Sequence, residues 1–430
     1  MYCSMFLKRN ILRFVRNLLC FVITLFLIII YMEQRYHKTS LLVEIPESAY
    51  KFISFEQRDT QHSDITTLKR LIKSYNEAER IHNNIDFGPG LNDSTVIVIF
   101  VHKISVHLKY LIASLSNIQG IQDVLVIFSH AFYDININKL IEQIDFCRVL
   151  QIFYPYSIQL YPNVFPGNDE QQRRGRSVRR ACLGSCIDRN SQKAEKKHHW
   201  WWTANMVFEN LSSVDVTNGN IVFFLNEDQY LLEDFLYMVI YMKKAAKSMP
   251  ECEMISLGTI GSNNIAVGKD TYRLELTTWE PKYHSDVLGF DLSTWNTIVS
   301  HFDLFCLIDD YSWARSLQYI SLNRLEGNKF KVISSKVPRS FTTKCGAYDL
   351  TNCGEFEGIY KALHIQKLSR SNMFPPLLEI KNNVELIDDI DNTVTENNGG
   401  WNDIRDREFC SNMTISKVKK LLLDMKTQFM

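Results

Sequence analysis

Two apolar runs constrain this chain most tightly: "TVIVIFVH" at residues 95–102 and "DVLVIFSH" at 123–130, separated by the helical pattern "HLKYLIASLSNI". Each run is rich in Val, Ile and Phe, which suits a strand buried on both faces. A strand, a short helix and a second buried strand make a βαβ unit and predict a parallel sheet. "VLQIFYPYSIQLYPNVFPG" (149–167) continues with a strand and a proline-punctuated loop, "WWWTANMVFENL" reads as a helix, and "NIVFFLNEDQY" reads as another buried strand. The expected fold class is therefore α/β, with a mostly parallel mixed sheet flanked by helices and ligands at the carboxyl ends of the strands.

The N-terminus limits where such a domain sits. Lys8, Arg9, Arg13 and Arg16 precede an uninterrupted apolar run, Leu18 to Met32, which Phe14 and Val15 extend. The run approaches the roughly 20 residues needed to span a bilayer. Its basic flank predicts a cytosolic tail over 1–17 and a signal anchor over 18–32. No small-residue cleavage site follows, although a cleaved signal peptide is the alternative. Residues 33–92 are polar and weakly periodic and read as a stem, with one helix around "ITTLKRLIKSYNEAERI" and a domain over 93–430. Eight of the ten cysteines and the triplets at Asn92, Asn210 and Asn412 suit an oxidising lumen in which glycans are added. The balance of 48 basic and 48 acidic residues argues against nucleic-acid binding through bulk charge.

Three stretches carry the candidate chemistry. In "FFLNEDQY" (223–230) a strand runs into Glu227 and Asp228, an arrangement that suits a divalent cation; the plainer reading is a turn or cap. "KKHHWWW" (196–202) sets His198 and His199 side by side, where they point in different directions and make a poor ligand pair. One of them would line a polar pocket, while the tryptophans pack against a sugar or the core. The basic insert "QQRRGRSVRRACLGSC" (171–186) reads as a solvated loop, an anion-binding segment or a processing site, with Cys182 and Cys186 close enough to bond to each other. No residue pattern specifies a homo-oligomer or a protein partner.

"KKHHWWW", "FFLNEDQYLLEDF", "ECEMISLGT", "FCLIDDYSWARSLQYI" and "NNGGWNDIRDREFC", with "VLVIFSH" and "SIQLYPNVFPG", occur in collinear order. Together they resemble the N-acetylglucosaminyltransferase II family over roughly residues 93–412. The resemblance implies a GT-A-like domain in the Golgi lumen, Mn²⁺, UDP-GlcNAc as donor, an N-glycan acceptor and β-1,2 transfer to the α-1,6-arm mannose with inversion. It assigns Asp228 to the metal, and to the donor Phe100, Val101, His102, Lys103, Ile104, Glu195, Lys196, Lys197, His198, His199 and Glu227. It also implies disulfides Cys306–Cys410 and Cys345–Cys353.

The same resemblance exposes departures. The family's second metal ligand, a histidine, falls at Thr342 in "PRSFTTKCG". Its base, an aspartate after the Trp of "DDY-x-W", falls at Ala314, and its uracil-binding aspartate falls at Ala131. Arginines expected at Ile104 and near Asn264 are missing. So are cysteines expected at His301 and Arg324, and Cys252 faces Met249 where a partner is usual. Asp310, four residues before Ala314, is the substitute base if a helix starts there, and otherwise that helix's N-cap. The alternatives to a working transferase are a pseudoenzyme of the family and a transferase with a changed donor or acceptor.

Overall fold

The computed structural model describes residues 15–32, 47–56, 64–88, 95–102, 106–169, 189–216, 219–258, 270–323, 329–343, 357–382 and 399–414. Lys103, Ile104, the basic insert with Cys182 and Cys186, Asn264, Arg324, Cys345 and Cys353 lie outside them. The chain divides into two compact units, Met1–Lys51 and Phe52–Met430.

In the first unit Val15–Met32 is one helix of 18 residues, long and apolar enough to cross a membrane. At 1.5 Å per residue it spans about 27 Å. Its apolar side chains are exposed all round. The Thr24 hydroxyl donates to the carbonyls of Cys20 (2.8 Å) and Phe21 (2.9 Å), so its one polar side-chain group near mid-span is satisfied within the helix.

In the second unit the strands are β1 (Ile81–His82), β2 (Thr95–Val101), β3 (Leu125–His130), β4 (Arg148–Phe153), β5 (Ile221–Asn226), β6 (Gln229–Leu231), β7 (Met254–Ser256), β8 (Arg273–Thr278), β9 (Leu288–Phe290), β10 (Lys331–Ser335), β11 (Ser340–Thr342) and β12 (Glu379–Asn382). Among the described residues ten of them form one sheet in the order β1-β4-β3-β2-β5-β9-β7-β10-β8-β12, and β11 pairs with β6 alone. The β4-β3-β2-β5 half is wholly parallel. β2, β3 and β4 are buried at every position, which is why they read as apolar runs without alternation. Helices α1 (Ile65–Ala78), α2 (Val106–Leu115), α3 (Ile135–Glu142), α4 (Ser191–Asn205), α5 (Phe235–Lys247), α6 (Leu292–Ser300), α7 (Phe302–Leu307) and α8 (Trp313–Asn323) accompany the sheet in an α/β arrangement. After β2 the chain steps outward through β3 to β4, then returns to the other side of β2 as β5. That reversal opens a crevice between the carboxyl ends of β2 and β5.

Residues that read as stem are part of this body. Asp64 caps α1 by accepting from the amides of Thr66 and Thr67. Leu68 and Ile72 on α1 bury against Phe153 and Leu160. The Asn76 side chain brackets β4, donating to the Phe153 carbonyl (2.7 Å) and accepting from its amide (2.8 Å), and β1 extends the sheet beyond β4. A weakly periodic helix therefore joins the domain, because one apolar face and one amide side chain are enough to dock it. Helix α4 also begins earlier than its apolar stretch suggested. Asn190 caps it at Lys193 N (2.9 Å), and Lys197, His198 and His199 turn inward to buried partners.

The Cys306–Cys410 disulfide forms, with Cα atoms 5.7 Å apart across a separation of 104 residues. Cys147 and Cys252 are free thiols.

Two consequences are testable. Ile72→Ala should cost about 2–5 kcal/mol, and a fragment beginning at residue 93 should melt below one beginning at residue 52. Equal melting temperatures would detach α1 and β1 from the folded body. The second concerns pH. Burial pulls the His130 imidazole down to about 3, against its bond with Gln151, and pulls His284 down to about 4. The Glu280 amide donates to His284 Nδ1 (3.1 Å), which requires that nitrogen to be bare. Unfolded imidazoles titrate near 6.5. Below that value the unfolded chain binds protons that the native state refuses, so stability is complete above 6.5 and declines as the pH falls towards 4. Each of these histidines should remove about 2 kcal/mol by pH 5. The urea midpoint should be lower at pH 5 than at pH 7, with a smaller difference in His284→Gln; unchanged midpoints would contradict this.

Candidate functional site

Strand β5 ends at Asn226, and Glu227 and Asp228 occupy the turn into β6. The Glu227 amide donates to the Phe100 carbonyl (3.1 Å), carrying the β2–β5 pairing one step further. The Glu227 side chain is buried, and its Oε2 accepts from the His102 amide (3.2 Å) and faces ring Nδ1 (3.1 Å). Asp228 is held through its backbone: its carbonyl accepts from the Thr343 amide (2.6 Å) and the Thr343 hydroxyl (2.8 Å). Asp228 lines the crevice while its main chain is fixed.

That crevice is a cavity of about 1370 Å³, larger than the roughly 300–1,000 Å³ common for one small ligand. Phe100, His102, Ala131, Phe132, Ile158 and Gln159 form one end, at the tips of β2, β3 and β4. Asp310, Tyr311, Trp313, Gly399 and Gly400 form another part of the wall, with Glu227 and Asp228 also lining it. Gly400 adopts φ +94°, and a Cβ there would lie 2.6 Å from the Tyr311 ring, so glycine is required where the two segments meet.

Helix α4 supplies the floor and sorts the residues of "KKHHWWW". Glu195, Lys196 and Trp200 line the cavity. Glu195 Oε1 accepts from the Ile158 amide (2.5 Å), and burial raises its carboxyl against that bond. Lys197, His198 and His199, which the resemblance assigns to the donor, are not on its wall. Each is buried with a partner of its own. Lys197 Nζ donates to the Asp310 carbonyl (2.8 Å) and sits 4.2 Å from the Trp401 ring centroid; burial pushes its ammonium well below the ordinary lysine range, against the pull of Asp310. His198 Nε2 meets Asp406 Oδ1 (2.9 Å), and His199 Nε2 meets the Ser129 hydroxyl (2.8 Å). Val101 is likewise buried in β2 and absent from the lining. Trp201 is core, its Nε1 donating to Thr414 (2.9 Å), and Trp202 packs edge-on to Tyr154. Trp200 lies flat on Trp313, with centroids 4.7 Å apart and planes 2° apart.

The departures noted in the sequence take physical form. Ala131 and Ala314 are buried methyl groups, and Thr342 is exposed on β11, opposite Gln229 and one residue before the Thr343 that grips Asp228. Asp310 is buried, and its Oδ1 accepts from the Ser312 amide (2.7 Å), organising the entry to α8.

Two features escaped the sequence reading. Arg189 donates to Asp406 through Nε (2.6 Å) and Nη2 (2.9 Å), and to the carbonyls of Pro166 and Gly167 (2.7 Å each), fully buried. No single-sequence pattern joins residues so far apart. The other is Asp286. The pair Phe224–Leu288 in the antiparallel β5–β9 register, followed two residues further, sets Asp286 level with Asn226. Burial and then the Asp228 charge raise its carboxyl to about 6.

Among the described residues no three His, Cys, Asp or Glu side chains converge. Glu227 and Asp228 bring carboxylates to the cavity wall at the strand end, which suits a small divalent cation whose remaining ligands are phosphate and water.

The model of N-acetylglucosaminyltransferase II matches residues 69–410. The human alpha-1,6-mannosyl-glycoprotein 2-beta-N-acetylglucosaminyltransferase is 33% identical over 359 residues, covering 80% of this chain and 78% of its own. The mouse protein of that name is 33% identical over 346 residues (77% and 76%), and the Arabidopsis thaliana one is 27% identical over 295 residues (64% and 67%). With a match that runs from α1 to the disulfide-bonded Cys410, the chain belongs to the N-acetylglucosaminyltransferase II family.

Proposed function

We propose that this chain transfers GlcNAc from UDP-GlcNAc, in β-1,2 linkage, to the α-1,6-arm mannose of N-glycans, as a Golgi membrane protein with its large unit in the lumen and Mn²⁺ at Asp228. The observation that carries this reading is the position of Asp228, at the carboxyl end of β5 and on the wall of a cavity opened by the strand reversal. Family membership and the N-terminal apolar helix support it.

A bound divalent cation supplies charge neutralisation of the leaving diphosphate. The chain's own residues do the rest. Asp228 anchors the cation site. Lys193 and Lys196, exposed at the cavity, offer positive charge to phosphate. The half-buried Trp313 ring, backed by Trp200, presents a flat apolar face to a pyranose. Inversion in one step needs a group that takes the acceptor hydroxyl's proton. Asp310 is the proposed base, lining the cavity in the segment that leads into α8, which starts only at Trp313.

A second reading is donor binding without transfer. It is favoured by the buried methyl of Ala314, which accepts no proton, and by the engagement of Asp310 Oδ1 with the Ser312 amide.

Transfer assays on the full chain decide between them. The first reading predicts Mn²⁺-dependent transfer that Asp228→Ala abolishes and that Asp310→Asn lowers by about 10²–10⁴-fold. No transfer by the native chain, with activity gained in the Ala314→Asp, Thr342→His double variant, would establish the second.

A further inference from the structure

We propose that the exposed edge strand β12 is a docking surface for a second copy of this chain, which pairs with it antiparallel about Ile380 and carries the sheet across both copies.

β12 ends the ten-stranded sheet, and all four of its residues are exposed. Among the described residues its one neighbour is β8, which it meets in parallel from Glu379 level with Arg273 to Asn382 level with Leu276. The Glu379 amide donates to the carbonyl of Tyr272, just before β8 (3.0 Å). Backbone groups alternate along a strand, so Glu379 and Lys381 turn theirs to β8, and Ile380 turns its N–H and C=O to the open edge. The side chains sort in the same way. Ile380 lies level with Leu274, on the face where Leu274 and Leu276 are buried, yet it is 42% exposed. Glu379 and Lys381 share the opposite face with Arg273 and Glu275, and Arg273 Nε reaches Glu379 Oε2 at 3.4 Å.

A lysine on an edge strand ordinarily discourages pairing. In "EIK" (379–381) that lysine finds its complement in the same three residues. An antiparallel pair with its two-fold axis at Ile380 sets Glu379 opposite the second copy's Lys381, and Lys381 opposite the second copy's Glu379. It also joins the two Ile380 residues by N–H to C=O bonds in both directions and brings their side chains together on the apolar face. An axis at Glu379 or at Lys381 would set like charges opposite each other, so the charges select the register. Apolar surface continues beside the strand. Leu377 is 76% exposed, in a segment held to α5 by the Tyr237 hydroxyl, which donates to the Pro375 carbonyl (2.7 Å). Ile240 and Tyr241 on α5 are exposed as well. None of these residues lines the cavity around Asp228.

Sedimentation velocity on the full chain in detergent should show a monomer–dimer equilibrium that shifts with protein concentration. Ile380→Asp sets two acids against each other at the centre of the pair and should raise the dissociation constant at least about tenfold. Its melting temperature should match that of the native monomer, because the side chain sits on an exposed edge. Cross-linking reads the register. Residues 379 and 381 of opposite copies would form a non-hydrogen-bonded pair with Cα atoms about 4.5 Å apart, within reach of a disulfide. A mixture of Glu379→Cys and Lys381→Cys chains, treated with oxidised glutathione, should give a linked dimer, whereas either variant alone and the native chain should not. A native chain that stays monomeric, or a dimer that Ile380→Asp leaves intact, would overturn the proposal. So would a mixture that gives no link, or a single variant that links as well as the mixture does.

Discussion

The buried carboxylate of Asp406 holds the walls of the cavity together. Burial pushes this carboxyl up, but bonds from His198 and Arg189 outweigh that effect and leave it at about 2. The site therefore stays anionic at any pH where the protein is folded. Arg189 stands at the entry to α4, Pro166 and Gly167 belong to the loop after β4, and Asp406 lies in the helical segment 404–414. Asp169 adds a second strut through Arg405 (2.6 Å). Removing one partner from such a buried pair costs about 3–5 kcal/mol, because the other charge is left unpaired in a dry interior. The Cys306–Cys410 disulfide ties the same C-terminal segment to α7 by a covalent route. Tyr311, Gly399 and Gly400 keep their places on the cavity wall because these two connections fix the segments behind them.

This explains why the packing residues of "KKHHWWW" stay while the chemistry around them differs. Lys197, His198, His199 and Trp201 each engage a buried partner through one polar atom, so a change there would leave that partner unsatisfied. Ala131, Ala314 and Thr342 carry no such burden. An alanine in place of a carboxylate at a cavity wall leaves the fold intact and alters only what the cavity can do.

The architecture was largely legible in the chain. β2, β3, β4 and β5 are buried on both faces and so appear as plain apolar runs, and the strand reversal places Asp228 where such folds bind ligands. Less legible was the part played by α1, whose docking depends on Asn76 reaching β4 from 77 residues away. The directions of the Lys197, His198 and His199 side chains were not legible in the motif, because only the packing of α4 decides them.

Ligand-linked stability tests the central claim, that this cavity is a nucleotide-sugar site organised around Asp228. A ligand that binds only the native state raises the melting temperature in proportion to its affinity. The account predicts that UDP with Mn²⁺ raises the melting temperature of the native chain, that UDP without the metal does so less, and that Asp228→Ala removes the difference. A melting temperature indifferent to UDP and Mn²⁺ at millimolar concentrations would contradict it.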